Sequence, residues 1–574
     1  MTPDAPERPL RDAALLALLA AFLLAPSFFT RDLWAPDETR YMEVARAMAV
    51  TGDYLMPRIN GQIYAEKPPM FFWLAAGLYK LGAGLNAGRL LAALASAGTV
   101  LLTWGMARRF LPSPGPLIAG LTTLTCLLFL SAAHMGVLDP LLTFFITGAI
   151  CCGLRAFEGR ESNFDLYWLG AYAFAAAAVL TKGPVGLAVP LVALTVHGIV
   201  ERPSIRKGGW IHLAGALMLL ALVGTWLLPA LQAGGPEYRD HLLFEQIRTR
   251  VTTGEFITPH QAPVYHYLIL LPVALFPWTL LFAPAFWAAV RARRRDAAAR
   301  AGLAWFLSIL IFFTLMAGKR IGYLLPLAPG FGLLMGRYLG MGAGQGAFPW
   351  PRAHRALAGV TLALFAGMGI ALAIGALLAQ PLVWSLFAGD PAMVSLAADL
   401  THRHLGAMSL LAVVLAALAW AGWRAGIVRQ KPLTCVIMIF LAVGALSLAA
   451  DVAILTRINA IKSGRSFAVH TRSHVQGANE AYQYRKHFGG EFNLYTRRLT
   501  LPRLDAPEEL AAALARPGKV AVIARAKDVA DALGDPPRIG RIVIRGTVRG
   551  REMMVLTNWG EAPQGGTAEE SRDE

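Results

Sequence analysis

Five short polar motifs interrupt the apolar runs of this chain of 574 residues. In chain order they are WAPDETRY (Trp34–Tyr41), YAEKPP (Tyr64–Pro69), LDP (Leu138–Pro140), TKGP (Thr181–Pro184) and GKRIGYLLP (Gly318–Pro326). Lysine and arginine side chains hold phosphate groups, and carboxylates stabilise a developing positive charge or take the proton of a hydroxyl group. Together these residue types predict a reaction on an anionic substrate.

The elements that must position the motifs are membrane spans. The chain is 56% hydrophobic and 16% charged, with a mean hydropathy of +0.50, whereas about 25% of residues are charged in a typical soluble protein. The net charge of +17 would suggest nucleic acid in a soluble protein, but in a membrane protein basic residues collect in the cytoplasmic loops. The four cysteines lie in apolar runs, which favours core residues over disulfides or a metal site. The sequence therefore predicts an integral membrane protein with no nucleic-acid partner.

Thirteen candidate spans follow from apolar segments of roughly the 20 residues that a bilayer helix needs. They lie near 11–30, 87–107, 115–134, 137–156, 165–181, 183–200, 210–231, 264–290, 301–317, 321–340, 355–378, 405–423 and 433–454. The first follows Arg8 and Arg11, and we expect it to stay uncleaved because no small-residue cleavage site follows it. A further apolar piece, Met70 to Gly84, has a length of about 15 residues, which is typical of interfacial or re-entrant segments.

The distribution of basic residues decides where this further piece lies. If it rests on the membrane surface and the N-terminus is inside, the basic loop clusters are cytoplasmic; if it spans, every one of them moves outside. These clusters contain Arg108, Arg109, Arg155, Arg160, Arg202, Arg206, Lys207, Arg291 to Arg295, Arg337, Arg352, Arg355, Arg424, Arg429 and Lys431. The first arrangement is favoured, and it puts the first loop (31–86), a loop near 232–263 and the C-terminus on the outer face.

A soluble domain is predicted after the last span, from about Leu455. The segments EFNLYT (Glu491–Thr496), KVAVIA (Lys519–Ala524), RIVIRG (Arg541–Gly546) and EMMVLT (Glu552–Thr557) are typical of strands, and EELAAALA (Glu508–Ala515) and KDVADAL (Lys527–Leu533) of helices. We therefore predict an all-α polytopic membrane domain over 1–454, a small extracytoplasmic α/β domain over 455–564 and an acidic disordered tail over 565–574.

Each motif taken singly has an ordinary structural explanation. Asp37 and Glu38 suit the first turn of a helix, and Asp139 suits a helix N-terminus. Lys182 suits a lysine that reaches the lipid headgroups, and Tyr323 suits an interface aromatic. Charge beside hydrocarbon is costly, however, and tends to face a cavity. Because five separate segments bring both signs of charge to the outer face, we predict that they share a site there.

The five motifs, in this order, resemble those of the GT-C glycosyltransferases that use polyprenyl-phosphate sugars as donors. The similarity is greatest to the bacterial lipid A aminoarabinose transferase branch, is more distant to the protein O-mannosyltransferases, and covers residues 1 to about 340. The resemblance implies a multispan enzyme of the bacterial inner membrane that takes a sugar from undecaprenyl phosphate on the periplasmic side. An extracytoplasmic C-terminal domain also fits that branch.

The resemblance implies roles for individual residues. Asp37 matches the catalytic aspartate of the first loop, and Asp139 matches the second acidic residue. For the donor phosphate we expect Arg40, Lys67, Lys182 and Tyr323, with Lys319 and Arg320 as second choices; for the substrate we expect Glu38, Tyr41, Glu66 and His260. Relatives often have a histidine in the second large outer loop, where this chain has Gln246. Binding of a divalent metal ion is therefore left open, and no cofactor is expected to be required.

The expected chemistry follows from the donor. A phosphate leaving group departs as an anion and needs cations rather than a general acid, while a carboxylate stabilises an oxocarbenium-like centre. Direct displacement with inversion is the simplest course, because no separate nucleophile is evident. The acceptor stays open between lipid A and the acceptors of a protein O-mannosyltransferase-like or other envelope glycosyltransferase. Outside the enzymes, a lipid-linked sugar transporter or flippase is the alternative, although no paired repeat halves are evident.

Overall fold

Long helices dominate the chain up to Ala449. The computed structural model describes residues 9–158, 164–201, 209–240, 242, 262–340, 352–387, 391–429, 431–485 and 489–559. Its helices of 13 residues or more are Pro9–Leu24, Asp37–Thr51, Ala87–Phe110, Leu138–Glu158, Phe164–Lys182, Val185–Glu201, Gly209–Asp240, Thr279–Ala292, Ala297–Leu315, Ala328–Gly340, Arg352–Phe387, Pro391–Ala421 and Pro432–Ala449. Shorter helices before Ala449 include Ser27–Thr30, Met70–Leu78, Gly115–Thr125, Leu127–Ala133, His266–Ala274 and the 3₁₀ segment Ile321–Leu327.

The number of candidate spans is smaller than the sequence predicted. Within the described ranges, 8 helices are long and apolar enough to cross a membrane, or up to 10 if each of two bent helix pairs is one span. Each of these 10 overlaps a predicted span, and one of them, Met70–Phe110, also includes the apolar piece Met70 to Gly84 that was expected at the surface. The segments near 165–181, 183–200 and 321–340 do not meet the same criterion. Val185–Glu201, for example, rises only about 26 Å over its 17 residues, short of a hydrocarbon core of roughly 30 Å. The chain is thus a polytopic helical membrane protein with 8 to 10 candidate spans among its described residues, and the predicted number of thirteen is not confirmed.

The first loop folds into a compact layer on the helix ends. After the helix Asp37–Thr51, the turn Asn60–Gly61 joins strands β1 (Arg58–Ile59) and β2 (Gln62–Ile63). The turn residues have φ values of 54° and 79°, the pair of positive φ angles that a tight two-residue hairpin requires. The apolar piece expected at the surface forms the helix Met70–Leu78, and its 9 residues rise about 14 Å. This helix by itself is too short to cross a bilayer.

A five-stranded sheet forms the part of the chain after the last long helix. Its strands are β3 (Glu480–Tyr484), β4 (Arg503–Leu504), β5 (Val520–Arg525), β6 (Arg541–Val548) and β7 (Arg551–Thr557), in the order β4-β3-β5-β7-β6. β3 is parallel to β4 and β5, whereas β7 is antiparallel to β5 and β6. The accompanying helices are Thr456–Lys462, Arg465–His470, Arg472–Gly477, Glu491–Thr496, Pro507–Leu514 and Ala526–Leu533.

The two faces of this sheet pack against different partners. Ala521 and Ile523 of β5 join an apolar cluster that includes the first loop and the helices Arg465–His470 and Glu491–Thr496. The alternate residues of the same strand, such as Val522, join a separate cluster with the helices after β4 and β5. Because successive strand residues point to opposite faces, one face of the sheet is held on the first loop and the other packs against the helices Pro507–Leu514 and Ala526–Leu533.

The prediction of a strand at EFNLYT is wrong. Glu491–Thr496 is a short helix whose ends are set by positive φ angles at Gly490 and Arg497. Alternating residue types suggested a strand, but Phe492 and Tyr495 are three residues apart and therefore share one face of a helix. Both are buried among the residues that join the sheet to the first loop. The first strand of the sheet, β3, was not predicted.

Candidate active site

A cavity of about 230 Å³ opens where four of the five motifs meet. Its walls are mostly apolar, and the polar side chains among them come from YAEKPP, LDP, TKGP and GKRIGYLLP. The lining residues are Glu66, Pro68, Asp139, Leu142, Thr143, Lys182, Gly183, Pro184, Val185, Ala188, Leu242, Phe312, Phe313, Met316, Gly318, Gly322, Tyr323 and Pro326. Tertiary structure therefore brings segments that are far apart in sequence into one enclosure.

The Lys182 ammonium group pairs with the Asp139 carboxylate at the wall of this cavity. Lys182 ends its helix, and Gly183 with a φ of 75° turns the chain sharply into the next one. Asp139 lies in the first turn of its own helix, where the helix dipole favours a negative charge. Lys182 Nζ also lies 4.9 Å from the centre of the Tyr323 ring. A cation, a carboxylate and an aromatic ring from three segments are thus held together beside an apolar space.

The fifth motif, WAPDETRY, is connected to the cavity through Arg40. Its guanidinium group bonds the Asp37 carboxylate at 2.5 Å and lies 3.4 Å from the Glu66 carboxylate, which lines the cavity. Tyr64 donates a hydrogen bond to the same Glu66 oxygen at 3.0 Å. Asp37 and Arg40 lie one turn apart on the helix Asp37–Thr51, so their side chains meet on one face. The arrangement links Asp37 to the cavity by a chain of charged contacts.

The Tyr41 hydroxyl group lies among the carboxylates of three motifs. Burial raises the pKa of Tyr41, and the negative charges of Asp37, Asp139 and Glu66 raise it further against the opposite effect of Arg40. Tyr41 therefore stays protonated at neutral pH and can only donate or accept a neutral hydrogen bond. The carboxylates of Asp37, Asp139 and Glu66 are thus all close enough to Tyr41 to affect its pKa.

Glu38 is a buried residue that stabilises the fold, and it does not occupy the position expected for a substrate contact. Its side chain is fully buried and pairs with Arg89 at 2.9 Å and with Arg31 at 3.3 Å. It also accepts backbone hydrogen bonds from Gly136 at 2.8 Å and Trp34 at 2.9 Å. These contacts occupy both carboxylate oxygens, and Glu38 is not among the residues that line the cavity. It joins the first loop to the ends of two other helices.

The remaining predicted cations lie around the cavity without lining it. Lys67 Nζ donates to the carbonyl oxygen of the adjacent Glu66 at 2.9 Å. Lys319 is 6% exposed, and its Nζ donates to the carbonyl oxygen of Met316 at 2.5 Å. Arg320 is exposed at the same junction. Direct phosphate contact from these three side chains remains a prediction, and Lys182 and Tyr323 are the expected donor-binding residues that the cavity contains.

Metal binding stays open. His260 and Gln246, on which that question depended, lie outside the described residues. In the part of the chain that the structure describes, no group of three or more histidine, cysteine, aspartate or glutamate side chains is arranged to hold a metal ion.

Some residues of the site were not found from the sequence. Phe312, Phe313 and Met316 form an apolar wall of the cavity. Apolar residues of this kind occur in any membrane span, so nothing in the sequence marks these three as part of a site. Arg89 is different, because a charge at the start of the helix Ala87–Phe110, far from the two arginines of its last turn, is a recognisable signal of a buried partner. That signal could have identified the pairing of Arg89 with an acidic residue, although not which one.

Comparison with known proteins agrees with this architecture. The family model described as dolichyl-phosphate-mannose-protein mannosyltransferase matches residues 66–228. Crystal structures of ArnT from Cupriavidus metallidurans superpose with TM-scores of 0.73 in the apo state and 0.75 with undecaprenyl phosphate bound. Sequence identity is 21% and 23%, over 95% and 96% of this chain and 97% and 99% of the ArnT chains. The chain has the ArnT fold.

Curated relatives point to the same group of proteins. The chain is 31% identical over 316 residues to the undecaprenyl phosphate-alpha-4-amino-4-deoxy-L-arabinose arabinosyl transferase of Edwardsiella ictaluri, covering 54% of this chain and 56% of the relative. It is 29% identical over 321 residues to the corresponding transferase of Shewanella sediminis, covering 55% and 57%. The resemblance to polyprenyl-phosphate-sugar glycosyltransferases is thus confirmed, and the matches span a little over half the length of these relatives.

Proposed function

We propose that this protein is a membrane glycosyltransferase that moves a sugar from undecaprenyl phosphate to an acceptor of the cell envelope, lipid A, at the periplasmic face. The observation that carries the proposal is the Lys182–Asp139 pair beside Tyr323 in an apolar cavity. A polyprenyl-phosphate donor has both an apolar chain and an anionic group, and this cavity offers a matching surface for each. The similarity to the arabinosyl transferases supports the choice of donor.

In the proposed reaction the bond between the anomeric carbon and the phosphate oxygen breaks, and its electron pair leaves with the phosphate. Lys182 neutralises the charge that develops on that oxygen. The acceptor oxygen forms the new bond from the opposite side of the sugar, so the configuration inverts. Positive charge at the anomeric carbon is stabilised by carboxylates, for which Asp37 is the first candidate and Asp139 the support.

The function of Asp37 depends on the acceptor. A hydroxyl acceptor must lose a proton, and a general base is worth about 10²–10⁴-fold in rate. A phosphomonoester acceptor has its second pKa near 6 and is already an anion at neutral pH. For lipid A phosphate, Asp37 would therefore orient the substrate or contact an amino group of the sugar. Its contact with Arg40 at 2.5 Å keeps the carboxylate in place for either task.

Mass spectrometry of lipid A tests the proposal. Membranes that contain the wild-type chain, Asp37→Asn or the control Asp505→Asn are compared; Asp505 is exposed in the C-terminal domain. We expect an added aminopentose mass with the wild type and the control, and none with Asp37→Asn. Consumption of the donor without any change in lipid A would move the acceptor to another glycan or a protein. A donor that is never consumed would favour the transporter.

A further inference from the structure

A buried hydroxyl group belongs to the wall of the cavity that contains Lys182. Thr143 is among the residues that line this cavity, and its side chain is fully buried. Its Oγ1 has no hydrogen-bond partner among the residues that the structure describes. Burial of a hydroxyl group without a partner costs free energy, and the large majority of buried polar side-chain atoms in native proteins have one. The position of Thr143 therefore favours a partner that comes from outside the chain.

Other buried threonines in the long helices of this chain use their hydroxyl groups locally. A threonine in a helix can donate to the carbonyl oxygen three or four residues earlier. Such bonds, 2.7 to 3.0 Å in length, are made by Thr99, Thr103, Thr122, Thr123, Thr125, Thr181 and Thr361. The corresponding acceptor for Thr143 is the carbonyl oxygen of Asp139, and no bond joins the two. The hydroxyl group of Thr143 is thus not used by its own helix.

Thr147 gives a direct comparison within the same helix, Leu138–Glu158. It lies one turn after Thr143, is fully buried, and its Oγ1 also has no partner within the described ranges. It is not among the residues that line the cavity. An unpaired hydroxyl group alone therefore does not identify a site. Thr143 differs from Thr147 because it combines this feature with a place in the cavity wall.

The chemistry of the lining indicates which group of a ligand this hydroxyl can meet. The polar side chains that the described residues contribute to it are those of Glu66, Asp139, Thr143, Lys182 and Tyr323. The oxygens of an ionised phosphate only accept hydrogen bonds, and an ionised carboxylate cannot donate one. The lining side chains that can donate to a phosphate are therefore the ammonium group of Lys182 and the two hydroxyl groups.

The position of Thr143 on its helix brings it near the charged pair of the cavity. Thr143 follows Asp139 by four residues, which puts the two side chains on one face with Cβ atoms about 5–6 Å apart. Asp139 in turn pairs with Lys182. Because a threonine in a helix has two accessible rotamers, its hydroxyl group can turn toward a ligand at this wall. The neighbouring wall is apolar, with Val185 and Ala188, and a hydrogen bond is electrostatically stronger there than in water.

We propose that the Thr143 hydroxyl group donates a hydrogen bond to a phosphate oxygen of the polyprenyl-phosphate donor, beside Lys182. This inference rests on the proposed function, because it adds a substrate-binding residue to the same site. The hydroxyl group keeps its proton, and the bond stabilises the negative charge that collects on the phosphate as the sugar leaves. Undecaprenyl phosphate, which remains after transfer, has the same acceptor oxygens and is therefore a suitable probe.

Thermal unfolding of the purified full-length chain, with undecaprenyl phosphate or undecaprenol added, tests the inference. A ligand that binds the folded state raises the thermal midpoint according to its concentration and affinity. We expect Thr143→Val to bind undecaprenyl phosphate about tenfold more weakly than the wild type, since it loses a hydrogen bond to a charged group. Its affinity for undecaprenol, which has no phosphate, is expected to stay unchanged. The matched control Thr147→Val is expected to keep the wild-type affinity for both.

The ligand-free midpoints separate binding from folding. Both valine variants are expected to be at least as stable as the wild type, because each removes a buried hydroxyl group that has no partner. Thr143→Ser keeps the hydroxyl group and is expected to keep the affinity for undecaprenyl phosphate. Thr143→Ala repeats the measurement without the second methyl group of valine, so the test does not depend on how valine packs.

The outcomes distinguish this inference from the proposed function. Equal affinity of the wild type and both Thr143→Val and Thr143→Ala for undecaprenyl phosphate would overturn the inference and leave the proposed function intact. A loss of affinity that extends equally to undecaprenol would also overturn it, because the contact would then be with the polyprenyl chain. A wild-type chain that does not prefer undecaprenyl phosphate to undecaprenol would refute the proposed donor itself.

Discussion

Replacing Glu38 by glutamine tests whether the adjacent acidic residues Asp37 and Glu38 have different roles, one in the chemistry and one in the fold. Glu38 is fully buried and is the counter-ion of both Arg31 and Arg89. Its replacement removes the carboxylate that both buried guanidinium groups contact, and breaking a buried pair in this way costs about 3–5 kcal/mol. We therefore expect Glu38→Gln to lower the thermal midpoint and the yield of folded protein.

Asp37→Asn is the matched neighbour. Asp37 and its partner Arg40 have side chains 32% and 25% exposed, and exposed ion pairs contribute only about 0.2–1 kcal/mol. We expect the thermal midpoint of Asp37→Asn to stay close to that of the wild type, while transfer of the sugar is lost. One substitution thus affects the fold and the other the chemistry, although the two positions are consecutive.

The two variants are compared with the wild type in the same detergent, by thermal unfolding monitored through tryptophan fluorescence and by consumption of the donor. Glu66→Gln serves as a second control, because Glu66 is 44% exposed and its loss is expected to spare stability. A Glu38→Gln protein as stable as the wild type would refute the assignment of Glu38 as a structural counter-ion. So would an Asp37→Asn protein that unfolds first.

Two further predictions concern the cavity and the contact of the C-terminal domain with the first loop. Lys182→Gln removes the cation paired with Asp139; we expect donor consumption per folded molecule to fall by about 10²–10³-fold, and an unchanged rate would contradict its proposed role. Gly490→Ala places a Cβ 2.8 Å from Ile59 Cδ1 at a φ of 82°. We expect faster limited proteolysis after this change than after Gly550→Ala, where φ is 71° but nothing lies within 4 Å; equal cleavage would rule out steric conflict.

Much of the architecture could be predicted from the chain because it follows from residue types over short distances. Apolar segments of sufficient length identified ten of the candidate spans, and the polar motifs between them supplied the residues of the cavity. Strands β5, β6 and β7 were evident from their apolar and β-branched residues. The helix Glu491–Thr496 was missed because six residues that alternate between polar and apolar types are compatible with a strand and with a short helix. Burial of this segment against the first loop decides in favour of the helix.

Tertiary structure alone decided the roles of adjacent residues. Consecutive side chains on a helix point about 100° apart, so Asp37 reaches Arg40 while Glu38 turns inward to Arg31 and Arg89. Sequence spacing could not say which of the two acids faces which set of cations. The contact between the first loop and the C-terminal domain was equally invisible, because it joins segments hundreds of residues apart, such as Asp32 and Arg465. Residue type determined which chemistry this protein could support, and long-range packing determined which residues are placed to perform it.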